Sequence, residues 1–243
     1  MGKLETLKKM LEESHYTVAL CGSGMMEEGG FVGIKIQERA YEIEKRYGAS
    51  PEELFSSRYY NTRPEKFFQF YKREIVGEPP EVTESFKTMA AMERAGKLQC
   101  IITANIYERG QKAGCKNVIN LHGSIYQNKC QRCGREYSLE YMKNAPGVPI
   151  CETCSSVVRP GVSLFGEMSD ARLVTKTTEE VERAEVLLIL GTTLQSEVFA
   201  NYIRCFHGKN MVVIHKEPHF LDYKADLVII DEPKNVFPKL GYE

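Results

Sequence analysis

Two closely spaced pairs of cysteines constrain the fold of this chain more than any other feature. The segment CQRC (130–133) is followed, after seventeen residues, by CETC (151–154). Each CxxC segment is typical of a tight knuckle that directs two thiolates to one point. The alternatives are a redox pair or four unrelated free thiols, but two CxxC pairs at this separation match the spacing of zinc ribbons. Because four sulfur ligands complete the tetrahedral coordination of Zn²⁺, we predict a structural zinc ion rather than a catalytic one. The predicted ligands are Cys130, Cys133, Cys151 and Cys154.

The charge and the remaining cysteines limit the compartment and the partners that we expect. The chain carries 32 basic and 33 acidic residues, so no strong field favours nucleic acid. No apolar stretch approaches the length that spans a membrane, and the N-terminal segment has the pattern of an amphipathic helix rather than of a signal peptide. Cys21 and Cys100 lie in apolar runs, where cysteine behaves as a small hydrophobic residue. We therefore predict a cytoplasmic protein that binds neither nucleic acid nor membranes.

Six short apolar runs alternate with stretches of helical pattern along the chain. Their apolar character is continuous, as in parallel strands of a sheet that helices cover on both faces. The sequence therefore predicts an α/β fold: a doubly wound Rossmann-like parallel sheet with a smaller module that consists of a zinc ribbon and a helical insert. The runs are YTVALC (16–21), QCIITA (99–104), NVINLH (117–122), EVLLIL (185–190), MVVIH (211–215) and DLVII (226–230).

Two stretches interrupt this alternation and indicate a second domain. Residues 31–75 are polar and helix-like, and residues 128–157 hold the cysteine pairs. We predict that the first forms a helical insert and the second a zinc ribbon, and that together they form a small domain. The large Rossmann-like domain would then be discontinuous, with residues 1–30, 76–127 and 158–243.

Two loops that directly follow predicted strands consist of small residues. In open α/β sheets, ligands bind at the carboxyl ends of the strands, where a backbone without large side chains can approach a pyrophosphate. A single GxG segment after a strand is commonly no more than a tight turn, so one such loop is a weak signal. Two such loops on one sheet favour a nucleotide site. They contain Gly22, Ser23 and Gly24, and Gly191, Thr192 and Thr193.

His122 ends the third apolar run, at the position where such sheets bind their ligands. A histidine changes charge near neutral pH and can serve as a general base. A lone histidine also commonly has only a structural role, so the residue pattern leaves both roles open.

Five motifs occur in the order that is typical of one protein family. They are TANIY (103–107), LHG (121–123), the cysteine quartet, RPGVSLFGE (159–167) and GTTL (191–194). In these motifs, over nearly the whole chain, the sequence resembles the sirtuins, which are NAD-dependent protein deacylases. The resemblance implies a large nucleotide-binding domain and a small domain, with NAD and an acyl-lysine peptide meeting in the cleft between them.

The resemblance also implies a role for each matched residue. His122 would be the base that deprotonates a hydroxyl of the nicotinamide ribose, and Asn105 would position the ribose and the nicotinamide end. The acyl oxygen would displace nicotinamide, and the ribose hydroxyl would then capture the acyl group as acyl-ADP-ribose. The implied cofactor contacts are Gly22, Ser23, Gly24, Thr103, Asn105, His122, Gly191, Thr192, Thr193 and His215. The implied peptide contacts, by strand addition, are Val162, Phe165 and Gly166.

The chain departs from the family pattern where nicotinamide is expected. After the first glycine loop the family reads Gly-Ile-Pro-Asp-Phe-Arg-Gly, whereas this chain reads GFVGIKI (30–36). The family segment Thr-Gln-Asn-Ile-Asp becomes TANIY, in which one amide and one acid are lost. The changed positions are Val32, Gly33, Ile34, Lys35, Ala104 and Tyr107, and His215 replaces an asparagine of the adenosine-ribose segment.

Neighbouring residues are candidates to replace the missing groups. Phe31 or Ile34 would supply the aromatic cover, and Tyr107 would supply a hydrogen bond in place of the acid. Lys35 would supply the positive charge, although it lacks the planar fork of arginine.

Two further acids, Glu27 and Glu28, lie in the loop that follows the first predicted strand. We expect them to be solvated loop residues. If the loop refolds, either could supply the missing carboxylate.

Three functions are consistent with these residues. The leading hypothesis is an NAD-dependent protein-lysine deacylase, with acetyl as the expected acyl group and an activity reduced or altered by the changed pocket. A protein ADP-ribosyltransferase would use the same cofactor, and a catalytically weak sensor of NAD or ADP-ribose would have no need of His122. Gln69 and Lys72 stand where deacylases that favour acidic acyl groups carry Tyr and Arg, which gives no support for that preference.

Overall fold

The computed structural model describes residues 2–242, and the chain divides into two compact units. Unit 1 comprises the chain up to Phe31, Glu81–Leu121 and the chain from Asp170 onward, and unit 2 comprises Val32–Pro80 and His122–Ser169.

The strands form one large sheet in unit 1 and one small sheet in unit 2. In chain order they are β1 (Thr17–Cys21), β2 (Cys100–Thr103), β3 (Val118–Asn120), β4 (Asn128–Cys130), β5 (Glu136–Tyr137), β6 (Val158–Arg159), β7 (Val186–Leu190), β8 (Asn210–His215) and β9 (Leu227–Ile230).

The helices alternate with these strands and also form most of the first segment of unit 2. The α-helices are α1 (Lys3–Glu13), α2 (Gly24–Glu27), α3 (Gln37–Tyr47), α4 (Pro51–Leu54), α5 (Ser57–Thr62), α6 (Pro64–Phe70), α7 (Glu84–Arg94), α8 (Arg109–Lys112), α9 (Leu139–Asn144), α10 (Ala171–Arg183), α11 (Ala200–Ile203) and α12 (Pro233–Val236). A π-helical turn covers Tyr71–Ile75, and 3-10 helices cover Asp222–Lys224 and Phe237–Leu240. None of the helices within residues 2–242 combines the length and the apolar character needed to cross a bilayer.

The large sheet is parallel, and its six strands lie in the order β3-β2-β1-β7-β8-β9. Each of the six predicted apolar runs overlaps one of these strands, so the predicted doubly wound sheet is confirmed. When the strands of this sheet are numbered along the chain, their order is that of dinucleotide-binding folds. The order reverses between β1 and β7, and such a switch point is where open α/β sheets bind ligands.

The central strands are buried on both faces, which explains why their sequences are continuously apolar. On β1, Ala19 and Cys21 join one buried cluster, whereas Val18 and Leu20 join another. Leu7 of α1 packs in the first cluster. Because successive side chains of a strand point to opposite faces, the two clusters lie on opposite sides of the sheet.

Unit 2 combines a small antiparallel sheet, in the order β5-β4-β6, with the helical segment from α3 to the π-helical turn. Buried aromatic rings form the core of that segment. The rings of Phe55 and Phe67 lie nearly parallel at 6.3 Å, and Tyr71 stacks on Phe67 at 5.8 Å. The buried carboxylate of Glu74 is neutralised by Arg46 at 2.7 Å. The predicted combination of a cysteine-bearing ribbon and a helical insert is therefore present.

The limits of unit 2 differ from the sequence-based domain limits. Residues 76–80, 122–127 and 158–169, which those limits place in the large domain, belong to unit 2, and Phe31, which they place in the small domain, belongs to unit 1. Backbone pairing keeps the segments 122–127 and 158–169 together, because the Ser124 N–H donates to Gly161 O at 2.8 Å. The functions assigned to the two domains stay predictions.

Candidate functional site

The four predicted metal ligands come together in unit 2. The Sγ atoms of Cys130, Cys133, Cys151 and Cys154 all lie within 4.8 Å of one another. The distance is 3.4 Å from Cys130 to Cys154 and 3.5 Å from Cys133 to Cys151. Sulfurs around a tetrahedral zinc ion, with Zn–S bonds of about 2.3 Å, stand about 3.8 Å apart. The donor set therefore fits a structural zinc ion.

The two cysteine pairs share one local backbone arrangement. Gly134 N–H donates to Cys130 O at 2.9 Å, and Ser155 N–H donates to Cys151 O at 2.9 Å. In both knuckles the donor has a positive φ, 77° for Gly134 and 57° for Ser155. Because each turn is local to its CxxC segment, the sequence spacing was sufficient to predict the site.

Tyr137, on β5, contacts the metal site and was not predicted. Its hydroxyl donates to Cys151 Sγ at 3.1 Å and accepts a hydrogen bond from the Glu152 N–H at 2.8 Å. The hydrogen bond from Tyr137 lowers the pKa of Cys151. Since the thiolate is the form that binds metal, Tyr137 favours the ligand form of Cys151.

The two glycine-containing loops in unit 1 pack directly against each other at the switch point. Gly22 N–H donates to Leu190 O and Gly24 N–H to Gly191 O, each at 2.9 Å. A Cβ on Gly22 would lie 2.4 Å from Thr192 Cβ, and one on Gly24 would lie 2.8 Å from Gly191 Cα. These glycines therefore allow the two loops to approach, and their N–H groups are already used within the protein.

Three hydroxyl side chains are among the polar groups at this switch point. Ser23 is exposed, and Thr192 and Thr193 are half-buried. Three hydroxyls at the carboxyl ends of β1 and β7 can contact phosphate or ribose oxygens.

Thr103 and Asn105, both predicted cofactor contacts, form one buried hydrogen-bonded turn at the end of β2. The Thr103 hydroxyl oxygen accepts from Asn105 N–H at 3.1 Å and from Asn105 Nδ2 at 2.8 Å. Asn105 Oδ1 accepts from Tyr107 N–H at 3.0 Å. The Tyr107 ring is buried and packs against Phe31, with ring centroids 5.1 Å apart. The residue that replaces the family acid thus packs against an aromatic ring.

Glu28 is not the solvated loop residue that we expected. Its side chain is buried in unit 1 and accepts hydrogen bonds from Thr83 Oγ1 at 2.5 Å, Ser85 Oγ at 2.9 Å and Lys234 N–H at 2.9 Å. Burial raises the pKa of Glu28, and these three donors counteract the rise. The expectation was wrong because the partners come from distant segments that no local pattern connects. Glu27 is exposed, as expected.

His215 lies at the end of β8, where the resemblance implies an adenosine-ribose contact. It is buried, and its Nε2 lies 2.9 Å from Asp222 Oδ2, which also accepts from His219 N–H at 2.9 Å. The second carboxylate oxygen of Asp222 is buried without a partner among residues 2–242. Sequence reasoning missed Asp222, which orients the imidazole of His215.

His122 lies in unit 2, in a backbone pairing with the segment around Val162. His122 O accepts from Ser163 N–H at 2.9 Å, and Gly123 pairs with Val162 in an antiparallel bridge. A Cβ on Gly123, whose φ is 73°, would lie 2.1 Å from Gly161 O, so the residue after His122 must be glycine. Burial and then the positive charge of Lys35 lower the pKa of His122, which favours the neutral imidazole.

The predicted peptide segment also lies in unit 2. Phe165 N–H donates to Phe55 O and Phe165 O accepts from Ser57 N–H, both at 3.0 Å. These backbone groups are therefore already paired, so strand addition would have to use their neighbours in the segment. The Phe165 ring is 37% exposed, and Lys35 Nζ lies 4.9 Å from its centroid.

Two side chains hold the turn that contains Gly166. Glu167 Oε2 accepts from Leu164 N–H and from Arg159 Nη2, each at 2.8 Å. Gly166 has a φ of 85°, a conformation that favours glycine. The FGE segment is thus a fixed turn.

The fold and these residues define a class: an α/β nucleotide-binding protein with a four-thiolate zinc site. The family model described as the Sir2 family matches residues 22–198. The chain therefore belongs to the Sir2 family, the sirtuins.

Individual relatives are similar along most of the chain. An NAD-dependent protein deacetylase of Clostridium acetobutylicum is 32% identical over 232 residues, which is 95% of this chain and 95% of that protein. NAD-dependent protein deacylase 1 of Archaeoglobus fulgidus is 35% identical over 193 residues, which is 78% of this chain and 76% of that protein.

Solved structures of Sir2 proteins are also similar along most of the chain. A crystal structure of a Sir2 homologue in complex with NAD matches with a TM-score of 0.84 and 30% identity over 97% of this chain and 91% of the other. A structure of Sir2 bound to an acetylated peptide matches with a TM-score of 0.82 and 25% identity over 99% of this chain and 97% of the other.

Proposed function

We propose that this protein is an NAD-dependent protein-lysine deacylase that releases nicotinamide and acyl-ADP-ribose. The observation that carries the proposal is His122, a half-buried imidazole whose backbone is fixed by Ser163 and whose neutral form is favoured. A neutral imidazole can act as a general base at physiological pH. The NAD-dependent deacylases among the relatives supply the reaction class.

NAD supplies the ribose that accepts the acyl group, and residues of unit 1 are suited to hold it. We assign the phosphates and adenosine ribose to the hydroxyls of Ser23, Thr192 and Thr193 and to His215. Thr103 and Asn105 are assigned to the nicotinamide-ribose end, where their shared hydrogen bonds fix the orientation of the amide. Gly22, Gly24 and Gly191 serve the site indirectly, by allowing the loops to meet.

The second substrate is an acyl-lysine peptide, and residues of unit 2 are suited to hold it. We assign the extended peptide to the segment with Val162, Phe165 and Gly166, in line with the acetylated peptide bound by a similar Sir2 structure. The remaining backbone groups of this segment would form the strand-like contacts.

We propose that the preferred substrate carries an acetyl group on lysine rather than an acidic acyl group. Lys72 is the cation that would replace the arginine of acid-specific deacylases, but its ammonium already donates to Ala145 O, and to Gly147 O at 2.6 Å. Burial lowers the pKa of Lys72, and Gln69 carries no charge. Parallel assays of acetyl-lysine and succinyl-lysine peptides test this preference, and faster removal of succinyl would contradict it.

We also propose that the protein acts in the cytoplasm, without nucleic acid or membrane as a partner. The near balance of 32 basic and 33 acidic residues supports the part of this assignment that concerns partners, because no strong positive field would attract nucleic acid or an anionic membrane. Fractionation of cells that express the protein, with a membrane wash in high salt, tests it.

The test of the reaction is mass spectrometry of the products formed from NAD and an acetyl-lysine peptide library. We expect nicotinamide and acetylated ADP-ribose from the wild type, and a loss of about 100- to 10,000-fold in His122→Ala. The matched control is His207→Ala, which removes an exposed histidine of unit 1 and leaves turnover unchanged. ADP-ribosylated protein would instead identify a transferase, and binding of NAD without turnover would identify a sensor.

A further inference from the structure

Arg109, the first residue of α8, has the largest fully buried side chain of the described chain. Its guanidinium donates to Met25 O at 2.8 Å, to Met26 O at 3.4 Å and to Glu81 O. Arginine stays charged in proteins, so its burial is tolerated only where carbonyls or anions receive its donors. Two of these carbonyls belong to α2, in the loop that follows β1 at the switch point.

Glu28 is a second buried charged residue in the same part of unit 1. Burial lowers the pKa of Arg109 and raises the pKa of Glu28, and the attraction between the two charges opposes both shifts. Thr83 and Ser85 hold the carboxylate from the start of α7, and Lys234 holds it from α12. The segment 25–28 is therefore attached to the body of unit 1 through the carbonyls of Met25 and Met26 and through the side chain of Glu28.

The guanidinium of Arg109 occupies the space that a side chain at position 29 would need. A Cβ at this position would lie 2.4 Å from Arg109 Nη2 and 3.1 Å from Thr83 Cγ2. The Arg109 side chain has little room to move away from a methyl group at position 29. It is fully buried, and its guanidinium carbon packs 5.5 Å from the Phe86 ring centroid. The absence of a side chain at Gly29 and the presence of Arg109 thus form a matched pair.

We infer that Arg109 is a positioning residue that holds residues 25–30 in their folded conformation before NAD binds, and thereby sets Ser23 at the switch point. The inference rests on the proposed use of NAD. Ordering a loop on binding weakens affinity, so a loop ordered in advance strengthens it. Arg109 touches neither substrate in this account, and its effect is confined to the affinity for NAD.

The first test compares Arg109→Met with Arg109→Lys and with Arg94→Met, an exposed arginine on α7. Hydrogen exchange of the cofactor-free proteins reports on the amides of residues 26–30, which donate within the loop in the wild type. We expect faster exchange in Arg109→Met, a partial return to wild-type exchange in Arg109→Lys and no change in Arg94→Met.

The kinetic readout separates positioning from general damage. We expect Arg109→Met to raise the KM for NAD by about tenfold or more, with kcat and the KM for the peptide unchanged. Unchanged exchange of residues 26–30, or a loss confined to kcat, would overturn the inference.

A second variant keeps the test decisive if Arg109→Met does not fold. Gly29→Ala retains the charge but places a methyl group against Nη2, so we expect faster exchange and a higher KM for NAD. Lysine has no atom in the position of Nη2, so the added methyl group should matter less beside Arg109→Lys. In the double variant, the change in the logarithm of the KM for NAD should therefore be smaller than the sum of the two single changes. Simple additivity would contradict the matched pair.

These readouts distinguish failure of this inference from failure of the proposed function. Exchange of residues 26–30 and direct titration with NAD or ADP-ribose need no turnover. If the wild type binds NAD without deacylating a peptide, the proposed function fails, while the Arg109 variants still decide whether the loop is positioned.

Discussion

The zinc knuckles of unit 2 and the Glu28–Arg109 cluster of unit 1 both fix a loop with polar groups, but they differ in how the sequence encodes them. Each knuckle takes its ligands from a segment of four residues. The cluster takes its members from five separate positions: Glu28, Thr83, Ser85, Arg109 and Lys234. A short-range pattern is visible in one sequence, whereas a long-range arrangement becomes visible only in the structure.

The two regions also differ in energy. Structural zinc sites contribute apparent binding free energies of about 10–16 kcal/mol, which is folding free energy because the site exists only in the folded state. A buried hydrogen bond contributes only about 1 kcal/mol of net stability, but removal of a buried acceptor leaves each of its donors unsatisfied, at a cost of about 1–3 kcal/mol. We therefore expect the knuckles to determine whether unit 2 folds, and the cluster to determine which conformation one loop adopts.

The largest effect is expected from Cys151→Ser, which removes one zinc ligand. Loss of much of the zinc free energy, about 10–16 kcal/mol, should release the metal and the tertiary structure of unit 2. Metal content and near-ultraviolet circular dichroism measure both effects. Cys205→Ser, at a half-buried cysteine outside the site, should retain both, and a full zinc content in Cys151→Ser would contradict the assignment.

A smaller effect is expected from Glu28→Ala, which removes a buried carboxylate that accepts three hydrogen bonds. The free energy of unfolding should fall by about 3 kcal/mol, because three buried donors lose a charged acceptor, and zinc content should not change. Urea denaturation measures the loss, and Glu84→Ala, at an exposed acid of α7, is the control. A loss no larger than that of the control would mean that the cluster does not stabilise unit 1.

Tyr137→Phe removes the hydroxyl that donates to Cys151 Sγ but keeps the four ligands. Groups that hydrogen-bond to metal ligands typically contribute about 10- to 100-fold in metal affinity, so we expect a loss in that range without unfolding. Competition with a zinc chelator measures it. If the affinity is unchanged, the stability of the knuckles depends on their cysteines alone.

The smallest effect is expected from Lys35→Met, which removes an exposed charge instead of a buried group. The base form of His122 is the neutral imidazole, and Lys35 helps to keep its pKa below the ordinary value. Loss of the charge should raise that pKa, so the acidic limb of kcat/KM should move to higher pH. Lys35→Arg retains the charge and should retain the limb, and a limb at the same pH in Lys35→Met would show that His122 does not respond to this charge.

The sequence predicted those parts of the molecule whose signals are local. The six strands of the large sheet could be predicted because burial on both faces requires continuous apolar runs, and the cluster of four cysteines because a CxxC segment closes on itself. Gly22 and Gly24 were noticed for the right reason, a close approach, but the partner is the neighbouring loop.

Other features depend on contacts that the sequence does not reveal. Glu28 was predicted to be solvated because its donors lie far along the chain. Arg109 was not predicted to have a role, because it lies just after TANIY in no motif of its own. Asp222 and Tyr137 act through a histidine and a cysteine that were predicted, but their own positions depend on how the chain folds.

The most direct test of the deacylase account is the stoichiometry of the reaction in the purified protein, with nicotinamide and deacylated peptide measured in the same sample. The account predicts one nicotinamide for each acetyl group removed, and neither product when NAD or the acetylated peptide is left out. Nicotinamide released without the peptide, or deacetylation without NAD, would contradict it.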